Sequence, residues 1–455
     1  MKDPVEATGA PGQLLSILGV GFGLAGAIGA TIGAGILRTP GLVAAQLPSP
    51  PWLLGAWLLG GLLALLGACC VAELATCLPR AGGWCVFAGE AFGRRAGGLV
   101  GWADWLAHCI GLAWEATTVG EIASALLPSP LVLPHLTPRL LALISLAAFV
   151  ALQLFGLRVA SASQDLLSLV KAVVFLALVA ACFLLPLPAS LTSPPPAPWP
   201  GVPIPWRDLV GSGALALQAV ITTYDGWVSP VYFAEEFRDP ARDLPRSLIG
   251  GVLLVLALYL LINAALLHVL PLADLAASPL PAAEAALRLL GPPGGRLITV
   301  VALLALLGLI NSVLMAAARI LYGLGRDGLF PARLAAVNAG GTPTTAVLLT
   351  ASMATLLVLA GSFERLLSLG ALLYVGLPLT GVAALVRLRG QQPAAPRPFR
   401  VWAYPLPPLL VALVSLAFLV GALLTHPWDG VLAIALVSAG VPVLWLHQRT
   451  APAPS

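Results

Sequence analysis

Two glycine-rich interruptions divide apolar segments that are otherwise long enough to cross a bilayer. The first is Gly29-Ala30-Thr31-Ile32-Gly33-Ala34-Gly35, and the second is Thr222-Thr223-Tyr224-Asp225-Gly226-Trp227-Val228-Ser229-Pro230. Backbone that leaves the helix at membrane depth survives only where it is buried in protein or lines a cavity. Interrupted helices at corresponding places in two halves of a chain therefore point to a ligand site near the bilayer midplane.

The membrane setting follows from composition. The chain of 455 residues is 59% hydrophobic and 9% charged, with mean hydropathy +0.97, whereas soluble proteins carry roughly 25% charged residues. The net charge of +4 is spread over loops, which gives no footprint for nucleic acid and no polybasic lipid-binding tail. The segment Met1–Gln13 lacks the basic start and small-residue cleavage site of a signal peptide, so the first apolar segment is expected to be a retained helix.

About 20 apolar residues span the hydrocarbon core. Twelve spans are expected, near 14–46, 52–78, 95–127, 138–157, 164–187, 207–237, 246–270, 296–325, 343–361, 364–389, 405–425 and 428–447. The interval 189–206 is proline-rich and reads as an extended loop, and 272–295 as a short surface helix. With the N-terminus in the cytoplasm, 16 basic residues fall on the cytoplasmic side and 6 outside, with Lys171 inside a span. That asymmetry obeys the positive-inside rule and puts both termini in the cytoplasm.

At the first interruption, glycine lowers helix stability by about 1 kcal/mol relative to alanine and lets a ligand approach the backbone. A half-helix restarting near Ile36 offers free N–H groups and a positive dipole end to an anion such as a carboxylate. The carbonyls near Thr31 and Ile32 suit an ammonium group. The competing reading is close packing of helices through small residues. Gly21-Phe22-Gly23-Leu24-Ala25-Gly26 matches a dinucleotide fingerprint in letters only, since it follows no strand.

At the second interruption, Asp225 is an acid inside a span, a functional candidate by default. It either holds a substrate amine, takes up a proton, or caps the second half-helix. Lys171 is a buried lysine in the fifth span. It either exchanges protons, supplies a fixed cation to the fold, or snorkels. Glu115 and Glu121 in the third span rank below Asp225, and Glu73 is expected to pair with an arginine. The six cysteines have no zinc-site spacing and read as small buried residues. The five histidines (His108, His135, His268, His426, His447) are scattered, which leaves no constellation for a membrane enzyme. No repeated filter motif suggests a channel.

Four stretches together resemble the amino acid–polyamine–organocation transporter superfamily, and within it the L-type amino acid transporter branch with its bacterial members. They are Gly29 to Pro40 (GATIGAGILRTP), Pro79-Arg80-Ala81-Gly82-Gly83, Tyr224-Asp225-Gly226-Trp227 with Glu235-Glu236 and Asp239 to Pro245, and Arg319 to Pro331 (RILYGLGRDGLFP). The resemblance implies an all-α polytopic membrane protein with twelve transmembrane helices in a five-plus-five inverted repeat. Helices 1 and 6 are discontinuous, repeat one is 14–187, repeat two is 207–389, and two added helices occupy 405–447. Residues 1–13 and 448–455 are cytoplasmic tails.

The resemblance also implies substrate binding by Thr31, Ile32, Gly33, Ala34, Gly35, Thr222, Thr223 and Asp225, with Lys171 in the place of a sodium ion. That favours sodium-independent transport of amino acids by alternating access, as exchanger or proton symporter, in the cell membrane. The pocket suggests small or medium neutral substrates, and Asp225 leaves cationic amino acids or polyamines open. A non-transporting amino acid sensor of the same fold is the other alternative. Ala34 stands where many relatives have serine, which removes one hydroxyl contact to the carboxylate. The stretch Leu127 to Arg139 has no cysteine, so no disulfide-linked heavy subunit is expected. No cofactor or metal is implied.

Overall fold

The computed structural model describes residues 14–33, 35–127, 137–186, 206–361, 363–425 and 427–450. The proline-rich interval, the stretch 128–136, both chain ends and Ala34 lie outside the described residues. All regular elements among the described residues are helical, apart from one isolated bridge between Leu18 and Phe237.

In chain order the helices are α1 (Val20–Thr31), α2 (Gly35–Gln46), α3 (Pro50–Cys77), α4 (Trp84–Phe92), α5 (Arg94–Leu126), α6 (Pro138–Leu154), α7 (Leu157–Leu184), α8 (Trp206–Tyr224) and α9 (Pro240–Val269). They continue with α10 (Leu272–Ala277), α11 (Pro281–Leu290), α12 (Pro292–Arg326), α13 (Thr344–Ala360), α14 (Phe363–Gln391), α15 (Leu406–Thr425), α16 (Pro427–Ser438) and α17 (Gly440–Thr450). A 3₁₀ helix, Ser229–Glu236, follows α8.

Seven segments are long and apolar enough to cross a membrane, and the bent pair α1–α2 makes an eighth. The other four expected spans coincide with α5, α6, α8 and α13. A helix of 28 residues such as α3 is about 42 Å long, more than the hydrocarbon thickness. α7 shows why these helices belong in lipid. Leu166, Leu169, Val173 and Leu176 are each at least half exposed, while Gln164, Ser168 and Lys171 on the opposite side are buried. A helix with its polar stripe inside and leucines outside is stable where the surroundings are apolar.

Three sequence expectations are revised. Residues 14–19 are not helical; Leu18 instead exchanges backbone hydrogen bonds with Glu236 and Arg238, at 2.9 Å each. The 272–295 interval forms two helices, and their residues Leu275, Ala282, Ala285 and Ala286 are buried against the bundle rather than lying on its surface. α7 begins at Leu157, seven residues before the expected start, because Gly156 with φ 111° makes the turn that starts it. Lys171 therefore sits at the middle of its helix.

One end of the bundle is closed by ion pairs drawn from the motifs singled out above. Arg319 of α12 donates to both oxygens of Glu236, at 3.0 and 2.9 Å, with both side chains buried. Arg326 pairs with Glu235, which also accepts from the backbone N–H of Ala81 at 3.2 Å. Glu73 meets Arg389 and Arg397 and accepts from the N–H of Val401 at 2.7 Å. Breaking a buried pair strands the surviving charge and costs about 3–5 kcal/mol. Arg319→Ala is therefore expected to lower the melting temperature of the detergent-purified protein well below that of Arg333→Ala at an exposed site; equal melting of the two variants would show that the Glu236 pair does not hold this end closed.

Candidate functional site

The first interruption opens a three-residue gap between α1 and α2, whose axes differ by 49°. α1 stops because Ile32 turns extended (φ −81°, ψ 96°) after its N–H has closed the last helical bond to Ile28. Helix ends leave carbonyls without intrahelical partners, and here side chains reach them. The Lys171 ammonium donates to the carbonyls of Gly29 at 2.8 Å and Ile32 at 3.1 Å. The Tyr259 hydroxyl of α9 lies 3.0 Å from the Thr31 carbonyl and 3.1 Å from that of Thr223.

Close packing explains the glycines. A Cβ on Gly29 would fall 2.0 Å from Gln164 Nε2, and one on Gly308 of α12 would fall 2.9 Å from Lys171 Nζ. Gly29 thus leaves room for Gln164 and Ser168, and Gly308 for the head group of Lys171. Ser168, one turn earlier on α7, donates to the Ala25 carbonyl at 2.8 Å. Gln164 receives a bond from Asn311 at 3.1 Å. α7 therefore meets the backbone of α1 with two polar side chains, Ser168 and Lys171, and Gln164 supports Ser168 from one turn earlier.

The second interruption ends α8 at Tyr224 and resumes at Ser229 as a 3₁₀ helix. Gly226 adopts φ 112°, and a Cβ there would lie 2.4 Å from the Ala30 carbonyl oxygen. The two interruptions thus cross in van der Waals contact, which only glycine permits at this position. Asp225 does not cap the following helix: its N-cap position is Val228, with no side-chain cap.

The sequence-predicted residues divide by what their groups already do. Thr31 Oγ1 donates to Ala27 O at 2.7 Å, and Thr222 Oγ1 to Gln218 O at 2.9 Å. Thr223 Oγ1 donates to Ala219 O and lies 2.8 Å from Thr39 Oγ1, linking α8 to α2. Ile32 and Gly33 are buried, and a Cβ on Gly33 would meet Leu309 Cδ1 at 2.4 Å. Gly35 opens α2 beside Thr223. Ala34 lies outside the described residues. Thr222 on the last turn of α8 and Asp225 in the break that follows are both exposed. Asp225 stands within electrostatic reach of the buried residues Asp104 and His108 of α5, so its exposure is to an internal hollow.

Two further groups bear on the site, Glu115, which the sequence ranks below Asp225, and the pair Asp104–His108, which it does not single out. Glu115, buried on α5, interacts electrostatically with Lys171 and has one oxygen, Oε2, without a hydrogen-bond partner. Asp104 and His108 form a second buried pair, with Nδ1 3.1 Å from Oδ1. Their i, i+4 spacing was the available signal. A cavity of about 410 Å³ lies toward the far end of α5, lined by Thr117, Glu121, Arg139, Val358 and neighbours.

A helical membrane bundle with two discontinuous helices meeting at midplane is the architecture of a secondary transporter. The chain belongs to the amino acid permease family, which matches residues 15–441, within the amino acid–polyamine–organocation superfamily. It is 26% identical over 432 residues to the serine/threonine exchanger SteT of Bacillus subtilis, covering 94% of this chain and 96% of that protein. It is 27% identical to the b(0,+)-type amino acid transporter 1 of Mus musculus, covering 91% and 84%. To the large neutral amino acids transporter small subunit 2 of Homo sapiens it is 27% identical, covering 92% and 78%. Amino acid transport, not enzymatic catalysis, is its activity.

Lys171→Met keeps the stem and removes the ammonium. Leaving a buried acceptor unsatisfied costs about 1–3 kcal/mol, so this variant is expected to melt earlier and to lose amino acid uptake in proteoliposomes. Uptake at the wild-type rate would take Lys171 out of the transport cycle.

Proposed function

We propose that this protein is a sodium-independent secondary transporter that moves small or medium neutral amino acids by alternating access, as an exchanger or proton symporter. The observation that carries the reading is the seating of the Lys171 ammonium on the carbonyls of Gly29 and Ile32. An organic cation held at 2.8 Å against an open helix end does the work of a bound metal ion there, so no sodium is required to hold the break together.

The substrate is assigned to the gap between the interruptions. Its carboxylate faces the N–H groups that open α2 at Gly35 and Ile36, where the helix dipole favours an anion. Its ammonium takes the remaining lone pairs of the Thr31, Ile32 and Thr223 carbonyls, since a carbonyl oxygen can accept two bonds. Gly33 and Gly35 keep side chains out of its path, and Ala34 between them carries only a methyl group. Asp225, Thr222 and Thr223 meet its side chain, and the threonines suit a hydroxyl or a short apolar group. SteT is named as a serine/threonine exchanger, which agrees with a small neutral substrate. The repeats run over 14–187 and 207–389, the bundle lies in the cell membrane with both termini cytoplasmic, and 127–139 contains no cysteine for a disulfide to a heavy subunit.

The test is uptake of labelled L-serine by proteoliposomes, with sodium or choline outside and with or without internal serine. Equal rates in sodium and choline are expected. A requirement for internal serine identifies exchange, and uptake driven by an acid exterior identifies symport. Strict dependence on sodium would overturn the reading, and binding without flux would make the protein a sensor. Gly33→Leu is expected to cut uptake at least tenfold, about 1.4 kcal/mol or more in the transport barrier, while eluting as a folded monodisperse protein. Normal flux through that variant would move the site elsewhere.

A further inference from the structure

The buried pair Asp104–His108 has no part in the substrate contacts assigned above. Asp104 is fully buried in α5, and its Oδ2 has no hydrogen-bond partner. Its Oδ1 accepts from the Tyr232 hydroxyl at 3.1 Å and lies 3.1 Å from His108 Nδ1. The same Nδ1 is 2.8 Å from the Asp104 carbonyl, so this nitrogen carries the hydrogen and turns it toward the aspartate. The other ring nitrogen, Nε2, makes no described hydrogen bond and is not sealed from a water-sized probe. His108 stands within electrostatic reach of Asp225.

We propose that Asp104–His108 is a proton-binding site that loads from the hollow beside Asp225 and whose occupancy is tied to the transport cycle through Tyr232. The proposal rests on the transporter reading. Water in the hollow delivers a proton to the Nε2 lone pair of the neutral imidazole. The product is an imidazolium against a carboxylate, which removes the net charge of an otherwise lone buried aspartate. A lone charge in such a site is far more costly than a paired one, which gives the proton its reason to bind. Release reverses the same step.

The tie to the cycle is geometric. Tyr232 lies in the 3₁₀ helix that continues the second broken span, whereas Asp104 and His108 lie on α5. Its hydroxyl is hydrogen-bonded across that boundary, and its ring packs edge-on to His108 with centroids 5.0 Å apart. Displacement of the 3₁₀ helix against α5 removes a donor from Asp104 and raises the carboxylate's demand for the imidazolium. Other ionisable groups stand around the pair. Asp225 faces it from the second interruption, Tyr232 from the 3₁₀ helix, and Tyr374 from α14 at 5.5 Å between ring centroids. Cys85 faces Asp104 from α4. Among the other helices against α5, α13 carries no ionisable residue, and Arg319 of α12 is committed to Glu236. The charges of α6 and α16, Arg139 and Asp429, stand at their helix starts.

The experiment is serine uptake by proteoliposomes with equal internal and external pH, varied between about pH 5 and 8, the window in which histidine titrates. Wild-type uptake is expected to rise roughly threefold or more toward acid pH, and His108→Gln to flatten that profile. Asp104→Asn, which withdraws the countercharge, is expected to shift the midpoint to lower pH by about one unit. A level wild-type profile overturns the proposal without recourse to any variant. So does a profile that persists unchanged in His108→Gln, because the proton is then held elsewhere. Absence of uptake at every pH would instead overturn the transporter reading.

Discussion

An ammonium group placed against the open end of a helix is the contact on which this architecture rests. α1 ends in mid-bundle, where its last carbonyls need donors from the protein. Lys171 supplies the donors, at 2.8 Å to Gly29 and 3.1 Å to Ile32. The packing around it follows from that need. Gly308 leaves room for the lysine head group and Gly29 for Gln164 and Ser168, which extend the polar stripe of α7, while Leu166, Leu169 and Val173 turn the other face of the helix to lipid. A charge at this depth is tolerated because it completes a backbone that would otherwise be incomplete.

The second interruption depends on the first. Gly226 rests on the Ala30 carbonyl, so the two chains touch where both have left the helix. Thr39 and Thr223 join their hydroxyls across the same gap. At the motif-rich end of the bundle, Arg319, Arg326 and Arg389 hold carboxylates from distant parts of the sequence. The site is thus open at its centre, at Asp225 and Thr222, and bound by charge at one end.

Much of this was legible in the residues. Glycine, proline and an acid inside apolar runs have few uses in a membrane, so both interruptions could be placed from the sequence. Glu73 was expected beside arginine and meets two. What escaped is what depends on distance across the bundle. The 3₁₀ form of Ser229–Glu236 has no periodic signature over eight residues. The start of α7 was placed late because Leu157 to Ser163 alternates polar and apolar residues, and the turn that fixes it lies in one glycine. Asp104 and His108 read as isolated residues in a tryptophan-rich helix. Their meaning comes from Tyr232, 128 positions away.

Tyr259 offers a single hydroxyl to two carbonyls, those of Thr31 and Thr223, at nearly equal lengths. One hydrogen cannot point fully at both. Whatever draws it toward one strand of the crossing releases the other, so the two unwound segments share a common resource rather than each owning one.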